Sequence, residues 1–355
     1  MQIGLMETHE QYMYRCLELA MKGQGHVAPN PVVGSVLVYQ DRIIGEGWHR
    51  QYGQAHAEVN CFNSVTAEDQ HLIGESTLYV SLEPCAHYGK TPPCAELVIQ
   101  KRVKEVVVAC EDPFAKVAGK GIAMIRAAGI PVIAGVLERE ARALNKRFFT
   151  YHQHQRPYII LKWAQSADGF IAPEAGRKVM LSNALSQRWV HRMRSEEQAI
   201  LVGYRTALQD NPYLTNRFFG NQQPLRIIID KKNELPETLH VKTDSLATWI
   251  YNEIYEGIAG KTSYIKLPSG QDFSSSLLQD LYQKGINSLI VEGGTQTLQS
   301  FIQAGLWDEA FCIETPVVLH SGTPAPVLNP AVKRERITLD DNIIQQYTRP
   351  NHEYL

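Results

Sequence analysis

The sequence predicts an α/β protein built as two domains in series, residues 1–153 and 154–355. Three observations predict it. At 355 residues the chain is long enough for about two domains, each burying its own core. Short apolar runs of strand type alternate with helix-type stretches, and the alternation starts afresh near residue 158. Between the two series lies 152–157, polar, rich in His and ending in Arg156-Pro157, which reads as a linker with His152 and His154 solvated.

In the first half, residues 7–23 read as a helix because Tyr12, Cys16, Leu19 and Ala20 fall at helical spacing. Residues 32–39 and 42–48 form a hairpin around Gln40-Asp41, and 56–62 open a helix. The β-rich run 77–82 stops at Glu83-Pro84-Cys85. Residues 93–101 are helical, with Pro93 suited to the first turn. A buried strand at 103–109, a helix at 121–128, a strand at 130–135 and one closing helix at 138–149 complete the domain.

In the second half, strands are expected at 158–163, 199–202, 225–230, 288–292 and 309–315, with helices at 184–195 and 297–304. Residues 251–276 are polar, with Gly and Ser, and read as strand and loop.

Composition narrows the function. The hydrophobic fraction of 44% and charged fraction of 20% are those of an ordinary globular protein. A net charge of -2 argues against a broad nucleic-acid-binding face. The first residues lack a secretory pattern and no apolar run approaches the ~20 residues of a membrane span, so a cytoplasmic protein without membrane partners is expected. The six cysteines are too few and scattered for a disulfide framework; Cys16, Cys61, Cys110 and Cys312 have no partner at ligand spacing and read as packing residues.

The remaining two carry the strongest signal. His56-Ala57-Glu58, Pro84-Cys85 and Cys94 offer one imidazole and two thiols, the three protein ligands of a catalytic zinc site with one position left for water. Zinc lowers the pKa of that water toward ~7. Glu58, two residues beyond His56 at a helix start, is placed to move its proton without binding metal. Taken singly, each of these residues is a surface or packing residue; together, in this order, they describe a zinc hydrolase.

Eight residues separate Cys85 from Cys94, where nucleobase deaminases in general have two. The segment Cys85-Ala86-His87-Tyr88-Gly89-Lys90-Thr91-Pro92-Pro93-Cys94 resembles the pyrimidine deaminase of riboflavin biosynthesis, whose pattern is P-C-x-H-x-G-[RK]-T-P-P-C. The resemblance implies a cytidine-deaminase-like three-layer domain, with His87 and Lys90 contacting a pyrimidine and its phosphate. It also implies substrate contacts for Asn30, in Pro29-Asn30-Pro31-Val32-Val33-Gly34, and for His49, in Gly45-Glu46-Gly47-Trp48-His49. From the residues alone, Asn30 suits a turn equally well. Glu111-Asp112-Pro113 and Val117-Ala118-Gly119-Lys120-Gly121 match a further family loop; bottom-up they form a Gly-rich loop before a helix, a candidate phosphate cradle.

From Pro157 onward the chain resembles the reductase of the same bifunctional family, which implies a dihydrofolate-reductase-like domain using NADPH. Residues 162–169 match K-x-x-x-S-x-D-G, with Ala164 at the cofactor, and residues 206–217 match T-x-x-x-D-[DN]-P-x-L-T-x-R. The resemblance assigns Thr206 and Asp210 to the cofactor and Leu214, Arg217 and Arg194 to the substrate. A guanidinium fork suits a phosphate. Gly293 and Gly294, after a strand and before a helix, would let backbone approach a pyrophosphate, and Glu292 would hold ribose hydroxyls. Where the family has a Trp and a Ser, this chain has Met180 and Lys178. Lys231, where the family has a small residue, is expected to meet the 2′-phosphate of NADPH.

The reading is therefore deamination of 2,5-diamino-6-ribosylamino-4-pyrimidinone 5′-phosphate followed by reduction of its ribosyl group, on Zn2+ and NADPH, in a homo-oligomer paired through the reductase domain. A nucleic-acid base deaminase with an accessory domain shares the zinc chemistry but not the charge or the long cysteine loop. A C-terminal half reduced to a dimerisation scaffold draws support only from Met180 and Lys178.

Overall fold

The computed structural model describes residues 2–88, 92–114, 118–174, 179–269, 272–329 and 331–350, with side chains from residue 8 onward. The chain divides into two compact units, 1–154 and 155–353.

The first unit runs α1 (Gln2–Met21), β1 (Gly34–Tyr39), β2 (Arg42–Trp48), α2 (Ala57–Ser64), β3 (Thr77–Val80), α3 (Cys94–Lys101), β4 (Glu105–Val108), α4 (Lys120–Ala127), β5 (Val132–Ala134), α5 (Glu138–Leu144) and α6 (Lys146–His154). Its five-stranded sheet has the order β2-β1-β3-β4-β5. The β1–β2 hairpin pairs Tyr39 with Arg42 across Gln40 and Asp41, both at positive φ; short polar side chains tolerate that region better than branched ones. β3, β4 and β5 run parallel.

Alternation along the strands sorts the core into two layers. Val36, Val38, Tyr79 and Val107 pack with Met13 and Cys16 of α1 and with Ala141, Phe148 and Phe149 of α5 and α6. Leu37, Leu78, Val106 and Val108 pack on the other face with Cys61 and Phe62 of α2, Ala95 and Val98 of α3, and Ile122 and Ile125 of α4. The sheet is thus covered on both sides. Two expectations are corrected here. The closing helix is two helices, broken at Asn145, whose buried amide spans the main-chain N–H and C=O of Val32. And α6 continues to His154, so His152 is no linker residue; it is half-buried, one turn on from Phe148 and against its ring.

The second unit runs β6 (Tyr158–Gln165), β7 (Phe170–Pro173), α7 (Ala184–Glu196), β8 (Ala199–Gly203), α8 (Tyr204–Asp210), β9 (Leu225–Ile229), α9 (His240–Thr243), β10 (Thr248–Asn252), β11 (Gly257–Ala259), β12 (Thr262–Lys266), α10 (Phe273–Gln283), β13 (Ser288–Val291), α11 (Thr295–Gln303), β14 (Glu309–Glu314), β15 (Gly322–Pro324), β16 (Val332–Leu339) and β17 (Asn342–Thr348). Ten strands form one sheet in the order β11-β12-β10-β9-β8-β13-β6-β14-β17-β16, and the seven from β12 to β14 are mutually parallel. Those central strands read as continuous apolar runs because α10 and α11 cover one face and α7 the other. The start of α10 at Phe273 lies inside the stretch expected to be strand and loop; Asp272 caps it by accepting from the Ser274 N–H.

Glycine sets how closely α2 sits on the hairpin. A β-carbon on Gly47 would run into the main chain of Ala57 and Cys61. Gly47→Ala is expected to destabilise the first unit by about 1–3 kcal/mol. Thermal unfolding should show its transition shifting down while that of the second unit stays in place.

Candidate active sites

The first unit gathers its reactive side chains where α2 begins and β3 and β4 end. His56 is the N-cap residue of α2, with extended backbone. Cys85 follows β3, and Cys94 opens α3 behind Pro93. His56 Nδ1 lies 3.6 Å from the Cys85 sulfur and 3.3 Å from the Cys94 sulfur, and the Cys94 N–H donates to Cys85 Sγ at 3.3 Å. The three ligand atoms lie within 4.8 Å of one another. One imidazole and two sulfurs at this separation fit a tetrahedral zinc with a fourth position left over. A hydrogen bond from Cys94, aided by one from His56, pulls the Cys85 thiol down to about 4; the same pairing raises Cys94.

Glu58 is 3% exposed, and burial raises its carboxyl above the ordinary value, as a proton acceptor working near neutrality requires. Beside it, His49 Nδ1 donates to the Ala55 carbonyl at 3.1 Å, so its Nε2 is an acceptor, and the Asn30 amide donates to it at 3.2 Å. Burial lowers His49 and keeps it neutral. Asn30, His49, His56, Glu58, Cys85 and His87 all line one cavity of about 420 Å³. Lys90 lies outside the described residues, as do Gly89, Thr91 and Val117.

The same cavity holds Asp112, Phe114, Tyr151 and His152, which sequence reasoning did not select. Burial raises Asp112 to about 7. Phe148 and His152 stand at i and i+4, a helical signal that the polar composition of the stretch concealed. The candidate phosphate cradle in the Gly-rich stretch 117–121 is corrected. The N–H groups of Gly119, Gly121 and Ile122 already donate to the buried carboxylate of Glu83, so these three are not free for a phosphate.

In the second unit a cavity of about 700 Å³ opens at the C-terminal ends of β6, β8, β9 and β13. Ala164, Thr206, Asp210, Lys231, Glu292, Gly293 and Gly294 line it, with Lys162 and Lys232. The Gly294 N–H, at the N-cap of α11, donates to Thr206 Oγ1 at 2.9 Å. A β-carbon on Gly293 would stand 2.7 Å from Thr297 Cβ, so glycine there lets α11 close on the strand. Lys231 is exposed, its ammonium 4.8 Å above the Phe273 ring.

Glu292 is the electrostatic centre. Arg194 grips it with two bonds, of 3.0 and 2.9 Å, and Lys162 with one of 3.0 Å. Burial alone would raise the carboxyl, but the two cations prevail and hold it at about 2. Lys162 stood in the matched motif without being selected. Arg194, Leu214 and Arg217 are absent from the cavity lining. Arg194 reaches it through Glu292; Leu214 is buried in the core at φ 55°; Arg217 is exposed and tied to His191, which accepts from its N–H at 3.1 Å. Burial, with Arg194 and Arg217 nearby, lowers His191 to about 4. Met180 is 73% exposed and off the cavity, and Lys178 is outside the described residues.

The chain is 41% identical over 328 residues to the riboflavin biosynthesis protein RibD of Bacillus amyloliquefaciens, an alignment spanning 90% of this chain and 87% of the relative. The chain belongs to the RibD family. The model of the RibD C-terminal domain matches residues 157–349, and that of the cytidine and deoxycytidylate deaminase zinc-binding region matches 6–110. The RibD of Aquifex aeolicus is 39% identical over 324 residues, with 90% of each chain covered. Among solved structures, the diaminohydroxyphosphoribosylaminopyrimidine deaminase/5-amino-6-(5-phosphoribosylamino)uracil reductase of Thermotoga maritima superposes with a TM-score of 0.89 at 34% identity, covering 97% of this chain and 99% of that one. The two units are thus a cytidine-deaminase-like domain and a dihydrofolate-reductase-like RibD domain, one using zinc and the other NADPH, in a bifunctional enzyme of riboflavin biosynthesis.

Glu292 makes the reductase domain acid-sensitive. Its folded-state value lies below the ordinary 4.5, so the stability it contributes is complete above 4.5 and drains away as pH falls toward about 2. Glu292→Gln should flatten that slope and cost about 3–5 kcal/mol at neutral pH by leaving Arg194 and Lys162 unpaired. Denaturant titrations at a series of pH values measure both.

Proposed function

We propose that the first cavity deaminates 2,5-diamino-6-ribosylamino-4-pyrimidinone 5′-phosphate and that the second reduces the ribosyl group of the product to ribityl. The observation that carries this reading is the convergence of His56, Cys85 and Cys94 beside the buried Glu58. His56, Cys85 and Cys94 would hold the zinc, which when bound would lower the pKa of its water toward neutrality. Glu58 takes one proton from the water as its oxygen bonds to the ring carbon and delivers it to the ring nitrogen; it then carries the second proton, from the new hydroxyl, to the amine as the C–N bond breaks, leaving a carbonyl and ammonia. Asn30, held by His49 at the cavity wall, would contact the pyrimidine, and the resemblance assigns His87 and Lys90 to the base and its phosphate.

In the second cavity NADPH supplies the hydride. Gly293 and Gly294 at the start of α11 would let its pyrophosphate approach the backbone, and Ala164, Thr206, Asp210 and Lys231, the last toward the 2′-phosphate, would hold the rest of the cofactor. Glu292, kept ionised by Arg194 and Lys162, accepts from ribose hydroxyls, while Leu214 and Arg217 complete the substrate side. A cytoplasmic homo-oligomer paired through its reductase domains, without nucleic-acid partners, belongs to the same reading. The near-neutral charge and the absence, among the described residues, of any helix long and apolar enough to cross a membrane support it in part.

Glu58→Gln should retain one zinc per chain by metal analysis while deamination falls about 10²–10⁴-fold and reduction continues. A deamination rate within a few-fold of the parent would exclude Glu58 as the proton carrier. For the cofactor, Lys231→Ala should weaken NADPH relative to NADH by about tenfold in a fluorescence binding titration, the loss of one charge-assisted contact. An unchanged preference removes Lys231 from the cofactor site.

A further inference from the structure

Glu83 is a charged side chain for which the reaction has no use, yet it is 3% exposed and lines the deaminase cavity. Its Oε1 accepts the N–H of Gly121 at 2.8 Å and of Ile122 at 3.1 Å; its Oε2 accepts the N–H of Gly119 at 2.8 Å and of Asp112 at 3.1 Å. Two bonds to each oxygen use the four acceptor sites of a carboxylate. Glu83 therefore has no capacity left for water or substrate. What it binds is main chain from two places, just after β4 and at the start of α4, and both are drawn against the strand end that carries Cys85.

The contacts continue to the cavity surface. Asp112 Oδ1 accepts the Phe114 N–H at 2.7 Å. The Phe114 ring meets His87 of the cysteine loop at 5.8 Å and His152 of α6 at 4.9 Å. Gly121 is pressed onto the Pro84 carbonyl, which leaves no room for a β-carbon.

We propose that Glu83 is a positioning residue of the deaminase: its carboxylate clamps residues 112–114 and 119–122 against the metal-ligand loop and so sets the Phe114 wall on which the pyrimidine binds. The inference rests on reading this cavity as the deaminase site. Glu58→Gln tests that reading separately, because Glu58 stands on α2 and accepts none of the four main-chain N–H groups that Glu83 holds.

The full-length enzyme carries its own control, since reduction of deaminated substrate reports on the other domain. Glu83→Gln turns an amide NH2 toward two of the four donors. It should raise KM for the pyrimidine substrate about tenfold, with kcat within about threefold of the parent, the pattern of lost binding rather than lost chemistry. Zinc should remain at one per chain and reductase activity should be unchanged. An unchanged KM overturns the proposal. So does a fall in kcat that tracks loss of zinc, which would make Glu83 a support for the ligands alone. Should Glu83→Gln prevent folding, Phe114→Ala, at the end of the same chain of bonds, decides: its KM should rise about tenfold with zinc retained, and an unchanged KM discards the wall.

Discussion

Parallel strand pairing is the constraint on which both halves depend. Strands that run parallel end together, and the loops after them leave the sheet at a common edge. In the first domain β3 and β4 stop side by side, so Glu83 to Cys85 emerge beside Cys110 to Asp112. In the second, β6, β8, β9 and β13 deliver Ala164, Thr206, Lys231 and Glu292 to one rim, although these residues are up to 128 positions apart in the chain (292 − 164 = 128). The antiparallel strands add to these rims from the side: β7 and β15 bring Ile171, Ala172 and Thr323 to the second cavity, the β1–β2 hairpin ends at His49 and gives α2 a surface to pack on, and β16 and β17 extend one flank.

Much of this order could be read from residues alone. The hairpin at Gln40-Asp41, the strand ahead of Cys85 and the helix opened by Cys94 follow from local chemistry, and a zinc ligand set is legible because so few residue types bind the metal. The helix break at Asn145 was not legible, because it depends on Val32, more than a hundred residues earlier. The Gly-rich stretch 117–121 was misread for a similar reason. Glycines before a helix look the same whether their amides await a phosphate or already hold a carboxylate, and only the fold brings Glu83 to them. Composition misled at His152, where charge and polarity around two aromatic residues resembled a linker.

The two cavities handle buried charge differently. In the reductase domain, two cations surround one carboxylate. Glu292 gains a permanent charge and a fixed direction, and Arg194, with Nε and Nη2 on the carboxylate, turns Nη1 to the Thr215 carbonyl at 3.1 Å and steadies the loop that carries Leu214 and Arg217. Leu214 holds a left-handed conformation that branched and bulky residues avoid, so the loop needs such anchors to keep its shape. In the deaminase domain, main-chain amides do the corresponding work for Glu83. Backbone dipoles neutralise a carboxylate without adding a mobile cation near the metal ligands.

The bond from Asn30 to His49 divides the labour within the deaminase cavity. An imidazole whose one proton is committed to the Ala55 carbonyl has none to lend, and its other nitrogen is occupied by an amide. The ring beside His56 is in this way removed from the traffic of protons. On the proposed reading the shuttling of protons then falls to Glu58, and Asp112, raised to about 7 by burial in the same cavity, is the second carboxyl group whose charge the pH response would register.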